Sequence, residues 1–552
     1  MEKWTQGYDP LGSLISGMPE YFLSALVAGI PLYLLFYLLA FRRTPGHISA
    51  FVGTSSAVLL AILVWGMPVP LALNATLYGA LFGLFPIVWI VITAVWVYNM
   101  TVESGEFEII KESLAALTDD RRLQAILVAF AFGAFIEGTA GFGTPVAITA
   151  AMLAGLGFNP LYAAGICLIA NTAPVAFGAI GIPIVVAAQV SGLDMMKISQ
   201  IAGRQLPLLS FIVPAWLCVT MAGWKRTMEV MPALLVSGFA FAFAQFIFSN
   251  YHGPYLPDIM SAIFTIVAMV ALLRVWKPKE SWHFPDEQPR KGSATLNYSV
   301  GEILRAWAPY IILAFMVLIW GLQFFKDMVK PVDGVRFAWP MLHGFVERTA
   351  PIVAESSVYN AFFNFNVISA AGTAILLSGL LSVFVMPNYG FGKAIACFFR
   401  TCHQLRFPVM TITLILGLAF IMNYSGMSSS LGLAFTATGW LFPFFAPIIG
   451  WLGVFLTGSD TSSNALFSGL QKTTAQAVGV DPHLTVAANS TGGVTGKMIS
   501  PQSISVATAA TGLVGKEGDL FRFTLGHSIA MLLILCVITL LQAYTFSWML
   551  PS

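Results

Sequence analysis

Two stretches far apart in this chain repeat one spacing. Asn171 is followed by Gly178, Pro183 and Arg204, and Asn489 by Gly496, Pro501 and Arg522, so each series steps by 7, 5 and 21 residues. Each is preceded by a similar corner, Gly157-Phe158-Asn159-Pro160 and Gly479-Val480-Asp481-Pro482. Both lie in apolar surroundings, where Asn, Gly and Pro are unfavourable inside a helix. In a membrane chain, two polar, interrupted segments at matching places in two halves point to a transporter binding site. The spacing therefore predicts two broken helices that meet.

That reading requires a membrane protein, and the composition supplies one. The 552 residues are 57% hydrophobic and 9% charged, with a mean hydropathy of +0.81. Soluble domains carry roughly a quarter charged residues. Many apolar runs approach the ~20 residues that cross hydrocarbon as a helix. Alternating polar and apolar decamers are absent, which argues against a β-barrel. The lipid bilayer is thus the principal partner, and a net charge of +2 gives no reason to expect nucleic acid. No cleavable signal is expected in 1–19, where Glu2, Lys3 and Asp9 interrupt any apolar core.

Apolar segments fall near 20–41, 48–66 and 84–100, followed by a charged amphipathic stretch, 103–122. The run 123–157 is interrupted by Glu137 to Pro145. It is too long for one straight span and too short for two with a loop, so it predicts a re-entrant hairpin. A broken helix over 160–188 and spans near 206–223, 228–249 and 257–275 complete a first half, 1–275. Residues 276–302 read as a cytoplasmic linker, with Lys277, Lys279, Arg290 and Lys291 among several acids. The second half, 303–552, has spans near 306–325, 366–386 and 408–424, then a short arm, 426–439. A second hairpin, 440–478, breaks at Thr457 to Asn464, and a broken helix, 483–514, precedes a last span, 524–549.

The halves match at further points. Phe85-Pro86 and Phe407-Pro408 open corresponding spans, and Phe135-x-x-Gly138 and Phe455-x-x-Gly458 enter the two hairpin tips. Lys/Arg bias places Arg42-Arg43, 103–122, Lys225-Arg226, the linker, Arg400 and Arg522 on the cytoplasmic side. The hairpins then enter from opposite sides, as an inverted repeat demands, with Lys326, Lys330, Arg336 and Arg348 as external exceptions. The expected fold is an all-α polytopic membrane protein: an inverted repeat with two re-entrant hairpins and two broken transmembrane helices.

The chemistry concentrates at the breaks. Glu137 and Asp460 occupy the two tips at nearly corresponding positions. Carboxylates at membrane depth usually mark ion, proton or substrate pathways. They are read here either as proton-coupling groups or as structural acids that pair with a lysine or cap a half-helix N-terminus. Lys497, between Gly496 and Pro501, is the best cation for a small carboxylate; the plainer reading pairs it with Asp460 or Glu137. Asn171, Thr172, Asn489, Ser490 and Thr491, with Thr461, Ser462 and Gly138 of the tips, complete the expected binding set. Half-helix starts add exposed N–H groups for an anion.

No metal or cofactor site is expected. The seven His are scattered without ligand spacing. Gly141-Phe142-Gly143 follows no strand, so it is no dinucleotide loop. The five Cys include no CxxC pair and read as small buried hydrophobes. Glu347, Arg348 and Glu355, around Pro351, read as an external loop.

Three segments carry a resemblance to a known family. They are Glu137-Gly138 with Ala140 to Gly143 and Pro145 to Ala150; Asn171 to Ala179; and, most specifically, the pair Gly450 to Phe467 and Thr491 to Ser503, with departures at Thr139 and Thr144. With Trp4 and Tyr8-Asp9-Pro10, the chain resembles the bacterial L-lactate permease family along its whole length. The resemblance implies a plasma-membrane proton symporter of 2-hydroxymonocarboxylates, lactate and glycolate, built from inverted repeats with paired hairpins. Rival readings are a sodium-coupled carrier of another organic anion and an intramembrane enzyme. One lysine and few membrane arginines favour a single carboxylate per substrate. An enzyme finds no support in any Asp-rich, paired-His or HExxH motif.

Overall fold

The computed structural model describes residues 3–12, 20–42, 44–141, 143–285, 298–353 and 355–551. Arg43, Phe142, Arg290 and Lys291, named above, lie outside the described residues. Ten described helices are long and apolar enough to cross a membrane. Two further bent pairs bring the number to twelve if each pair is one span. This is the multi-pass helical architecture that the apolar runs predict.

Each half repeats one order of elements: an apolar helix, a short arm, a hairpin, a broken helix and a long helix. In the first half these are Trp89–Glu103, Glu106–Ala115, the hairpin 121–155, the broken helix 160–191 and Met195–Met228. In the second they are Arg406–Ser425, Met427–Phe435, the hairpin 442–478, the broken helix 482–511 and Glu517–Tyr544.

Local chemistry sets the hairpin turns. Asp120 starts the first arm, accepting from the Arg122 N–H, and the helical run Arg121–Thr139 ends at the tip. Gly141 and Gly143 have φ of +59° and +84°, a region that penalises a Cβ. Pro145 then sits in the first turn of Thr144–Gly155, where its missing N–H costs nothing. In the second hairpin, Phe442–Thr457 stops at Gly458, and Ser459 caps Asp460–Val478 by accepting from the Ser462 N–H.

The mouths of the hairpins lie at opposite ends of Met195–Met228. Near its start, the first broken helix ends at Ser191, whose carbonyl accepts a 2.7 Å bond from Lys472 of the second hairpin. Near its end, the Arg226 carbonyl accepts a 2.6 Å bond from Arg122 at the base of the first hairpin. The helix is broken at Gly223 (φ +74°, ψ 170°), and the stretch 195–222 before that kink alone is about 40 Å long at 1.5 Å per residue.

Three features differ from the sequence expectation. Short strands appear in an otherwise helical chain: Val335–Ala338 pairs antiparallel with Phe362–Phe365, and Val346–Arg348 pairs with both Trp4–Thr5 and Ser357–Val358. The Glu347-Arg348 segment, read as a loop, is therefore a strand tied to the N-terminal segment. The expected span 366–386 is the helix Ala371–Ser382, only 12 residues and about 18 Å long. Phe391–Gln404 forms an amphipathic helix where no element was expected.

Candidate functional site

The two matched glycines explain part of the repeat. A Cβ on Gly178 would stand 2.7 Å from Glu137 Oε1, and one on Gly496 would press on the Trp451 carbonyl. Each glycine thus lets a broken helix approach the first arm of its own hairpin.

The remaining matches diverge. In the first broken helix, Pro160–Ala170 ends at Asn171 and bends by 62° into Val175–Ser191, with Ala179, Ile180 and Gly181 at positive φ. In the second, Asn489 lies well inside Pro482–Lys497, and the break falls at 498–500. Asn489 does not open the helix because its side chain is satisfied where it stands. It donates to Asn464 Oδ1 at 2.9 Å and accepts from Gln471 Nε2 at 3.1 Å.

The break in the second helix delivers Lys497 to Glu137, with Nζ 2.9 Å from Oε1 and both side chains buried. Lys497 ends its helix, where the dipole favours a cation. Glu137 sits in the last turn of its own helix, where the dipole disfavours an anion. Its partner therefore supplies what its helix cannot. Glu137 Oε2 has no hydrogen-bond partner.

Asp460 is placed differently. It opens Asp460–Val478 and so meets a favourable helix N-terminus. Its Oδ2 accepts from Ser490 Oγ and, at 3.5 Å, from Asn464 Nδ2, while Oδ1 is buried without a partner. The expectation of corresponding positions for Glu137 and Asp460 is thus corrected: one closes a first arm and the other opens a second arm.

These groups line one cavity of ≈ 60 Å³ with Gly143, Val175, Gly178, Ala179, Pro183, Gly458, Ser459, Thr461, Gln502, Ser503 and Val506. Both tips and both broken helices contribute. Helices starting at Thr144, Asp460 and Pro501 open there, capped by Gly143, Ser459 and Ser500. Three helix N-termini and Lys497 favour an anion in the cavity, and the carboxyls of Glu137 and Asp460 oppose one while they are ionised.

Of the expected binding set, Lys497, Thr461, Glu137 and Asp460 line this cavity. Asn171, Thr172, Gly138, Ser462, Asn489, Ser490 and Thr491 stand outside it, the last five because they serve other contacts. Ser490 and Asn489 serve the Asp460–Asn464 network. Thr491 donates to Gln205, and Ser462 lends its N–H to the Ser459 cap. Gly138 packs against Pro257–Val275, where a Cβ would lie 2.8 Å from Asp258 Cβ. Asn171 and Thr172 are buried at the first break with side chains that have no hydrogen-bond partner.

Gln502 and Ser503 were missed as cavity residues. Their signal is Ser500-Pro501, a cap followed by proline in the first turn, which marks the helix restart. No group of three or more His, Cys, Asp or Glu suited to a metal occurs among the described residues.

Comparison with known proteins agrees along the full length. A family model described as L-lactate permease matches residues 24–546. The glycolate permease GlcA of Escherichia coli (strain K12) is 50% identical over 568 residues, covering 100% of both chains. The L-lactate permease of Bacillus subtilis (strain 168) is 47% identical over 573 residues, again covering 100% of both. Among solved structures, the Alcanivorax borkumensis YdaH transporter superposes with a TM-score of 0.47 at 15% identity, over 86% of this chain and 89% of that one.

Proposed function

The chain belongs to the L-lactate permease family, and from that premise we propose that it takes up L-lactate and related 2-hydroxymonocarboxylates, D-lactate and glycolate, by proton symport. It is a multi-pass cell-membrane transporter, not an enzyme. The observation that carries the reading is the buried Lys497–Glu137 pair on the wall of a cavity where helix N-termini converge.

The cavity suits the size of the substrate. Its ≈ 60 Å³ is several times the roughly 10–15 Å³ minimum that admits one water, so it has room for a small solute. Glycolate and lactate have five and six non-hydrogen atoms. The carboxylate takes Lys497, and the 2-hydroxyl meets Thr461 and Gln502 on the same wall.

Charge balance links the anion to a proton. With Lys497 paired to Glu137, the pair is neutral. A bare lactate anion would add an uncompensated charge in a buried place, which is costly. A proton on Glu137 frees Lys497 for the substrate carboxylate, and the site stays neutral. An interior-negative potential of 100 mV opposes entry of a lone anion by about 2.3 kcal/mol, and co-transport of one proton removes that opposition. Asp460, held by Ser490 and Asn464, remains the second candidate for proton coupling. The halves 1–275 and 303–552, joined by 276–302, are read as the inverted repeats that rock around this cavity.

Labelled L-lactate in proteoliposomes tests the proposal. An imposed inward proton gradient, without sodium, is expected to drive accumulation, and unlabelled lactate or glycolate inside to drive counterflow. Accumulation that follows sodium and ignores the pH gradient would instead favour a sodium-coupled anion carrier.

A further inference from the structure

A third carboxyl stands at the same junction and has no role in the mechanism so far. Asp258 lies in the first turn of Pro257–Val275, with 1% of its side chain exposed. Both its carboxyl oxygens are buried and lack any hydrogen-bond partner. A purely structural acid in that position would cap backbone N–H groups or pair with a cation. Asp258 does neither.

Its surroundings are those of the first hairpin tip. Gly138 is so close that a Cβ there would stand 2.8 Å from Asp258 Cβ and 3.1 Å from the Ile259 N. The chain just before Asp258 also wedges against the first broken helix, where a Cβ on Gly181 would overlap the Pro254 carbonyl. Asp258 thus sits where hairpin and broken helix meet, beside the residue that follows Glu137. Glu137 and Lys497 are the charged groups whose fields reach it. Glu137 Oε2, the oxygen that Lys497 leaves free, is likewise unpartnered.

The position of Asp258 along the transport axis is also set. Tyr255, three residues earlier, donates to Met195 Sδ at 3.7 Å, at the start of Met195–Met228. That is the end beside the mouth of the second hairpin, opposite the Arg122 base of the first. Asp258 therefore lies between that face and the tip of the first hairpin.

We propose that Asp258 is a proton-relay residue that delivers the symported proton to Glu137 from the face opposite the mouth of the first hairpin. This rests on the proton-symport reading. The step is a relayed transfer: neither carboxyl bonds the other in this structure, so the Asp258 O–H gives its proton to an intervening water as that water gives one to Glu137 Oε2, and a hydronium ion from the far side reprotonates Asp258. Two buried carboxyls then hold one transferable proton, and Lys497 is released only when it rests on Glu137.

The test compares wild type, Asp258→Asn and Asp258→Glu in proteoliposomes with labelled L-lactate. Asp258→Asn is expected to lose accumulation driven by a pH gradient and to retain counterflow at equal pH. Asp258→Glu keeps a titratable group and is expected to retain gradient-driven uptake with a displaced pH profile. Equal loss of both modes in Asp258→Asn would mark a structural residue and overturn the proposal, as would an unchanged pH profile in both variants. If Asp258→Asn does not reach the membrane, the pH profile of Asp258→Glu decides alone. Should the wild type itself ignore the proton gradient, the symport reading fails, an outcome distinct from failure of Asp258.

Discussion

Lys497 and Glu137 are 360 residues apart in sequence, yet their side chains join at 2.9 Å to link the second broken helix to the first hairpin. The bond ties the hairpin 121–155 to the broken helix 482–511 through a buried ion pair. Breaking such a pair from one side leaves an uncompensated charge, which typically costs about 3–5 kcal/mol, whereas replacing both partners is often nearly neutral. The pair is therefore a structural tie, and on the proposed mechanism it is also the contact for which an arriving carboxylate competes.

Lys497→Met is expected to lower the thermal midpoint of the purified protein, and Lys497→Met/Glu137→Gln to recover much of the loss. The check is a pair of melting curves in detergent. Lactate affinity should not recover in the double variant, since both lack the cation. A charge-assisted hydrogen bond is worth roughly 1.5–3 kcal/mol, so apparent affinity should fall on the order of tenfold to a hundredfold. Wild-type uptake at low lactate by Lys497→Gln would remove Lys497 from the substrate site.

Gly178→Ala probes the packing beneath Glu137. Gly178 has φ of −62°, so alanine is tolerated by the backbone and only the side-chain clash is introduced. The new Cβ would meet Glu137 Oε1 at 2.7 Å, forcing the carboxylate away from Lys497. Overpacking of this kind costs about 1–3 kcal/mol. Expression and folding should survive while lactate uptake falls. A variant with full uptake would show that the Glu137 position is not critical.

The parts of this site that were legible in the sequence are those where one residue type leaves little choice. The tips announced themselves because Gly141, Gly143 and Gly458 interrupt apolar runs, and each adopts positive φ. The second break falls just before Pro501, where the proline marks it, and Asn489, Ser490 and Thr491, which look like helix breakers, stay inside Pro482–Lys497. Their partners, Gln471, Asn464, Asp460 and Gln205, come from other elements and let the helix continue. Asp258 was passed over for a related reason. An acid just after Pro257 reads as an ordinary first-turn residue near water, and only the distant Gly138 reveals that it is buried. The strands of 335–365 depend on pairing across the chain, which local pattern does not carry.

Arg122 offers a test of how the first hairpin is anchored. Its guanidinium is fully buried and bonds Asp120 at 2.6 Å, Glu229 at 2.8 Å and the carbonyls of Arg226 and Glu280. Asp120 also accepts from the Trp282 N–H, so hairpin base, long helix and linker are clamped at one point. Arg122→Ala should destabilise by about 3–5 kcal/mol. Arg122→Lys should recover only part, because an ammonium cannot span these partners as a fork does. Thermal midpoints in detergent check both, and a midpoint for Arg122→Ala equal to wild type would discount the clamp.

Glu137→Gln separates binding from coupling. Glutamine keeps the size and a hydrogen-bond acceptor for Lys497 but carries no charge and takes up no proton. Lys497 is then free at all times, as it would be in the protonated wild-type site. Lactate should still bind, and exchange of labelled for unlabelled lactate should persist, because counterflow returns the carrier loaded in both directions and needs no net proton movement. Accumulation against a gradient must fail, since the variant cannot load and unload the proton. Counterflow and gradient-driven uptake of labelled L-lactate, measured on the same proteoliposome preparation, provide the comparison. Gradient-driven accumulation that survives in Glu137→Gln would move the coupling proton to Asp460, the other carboxyl on the cavity wall.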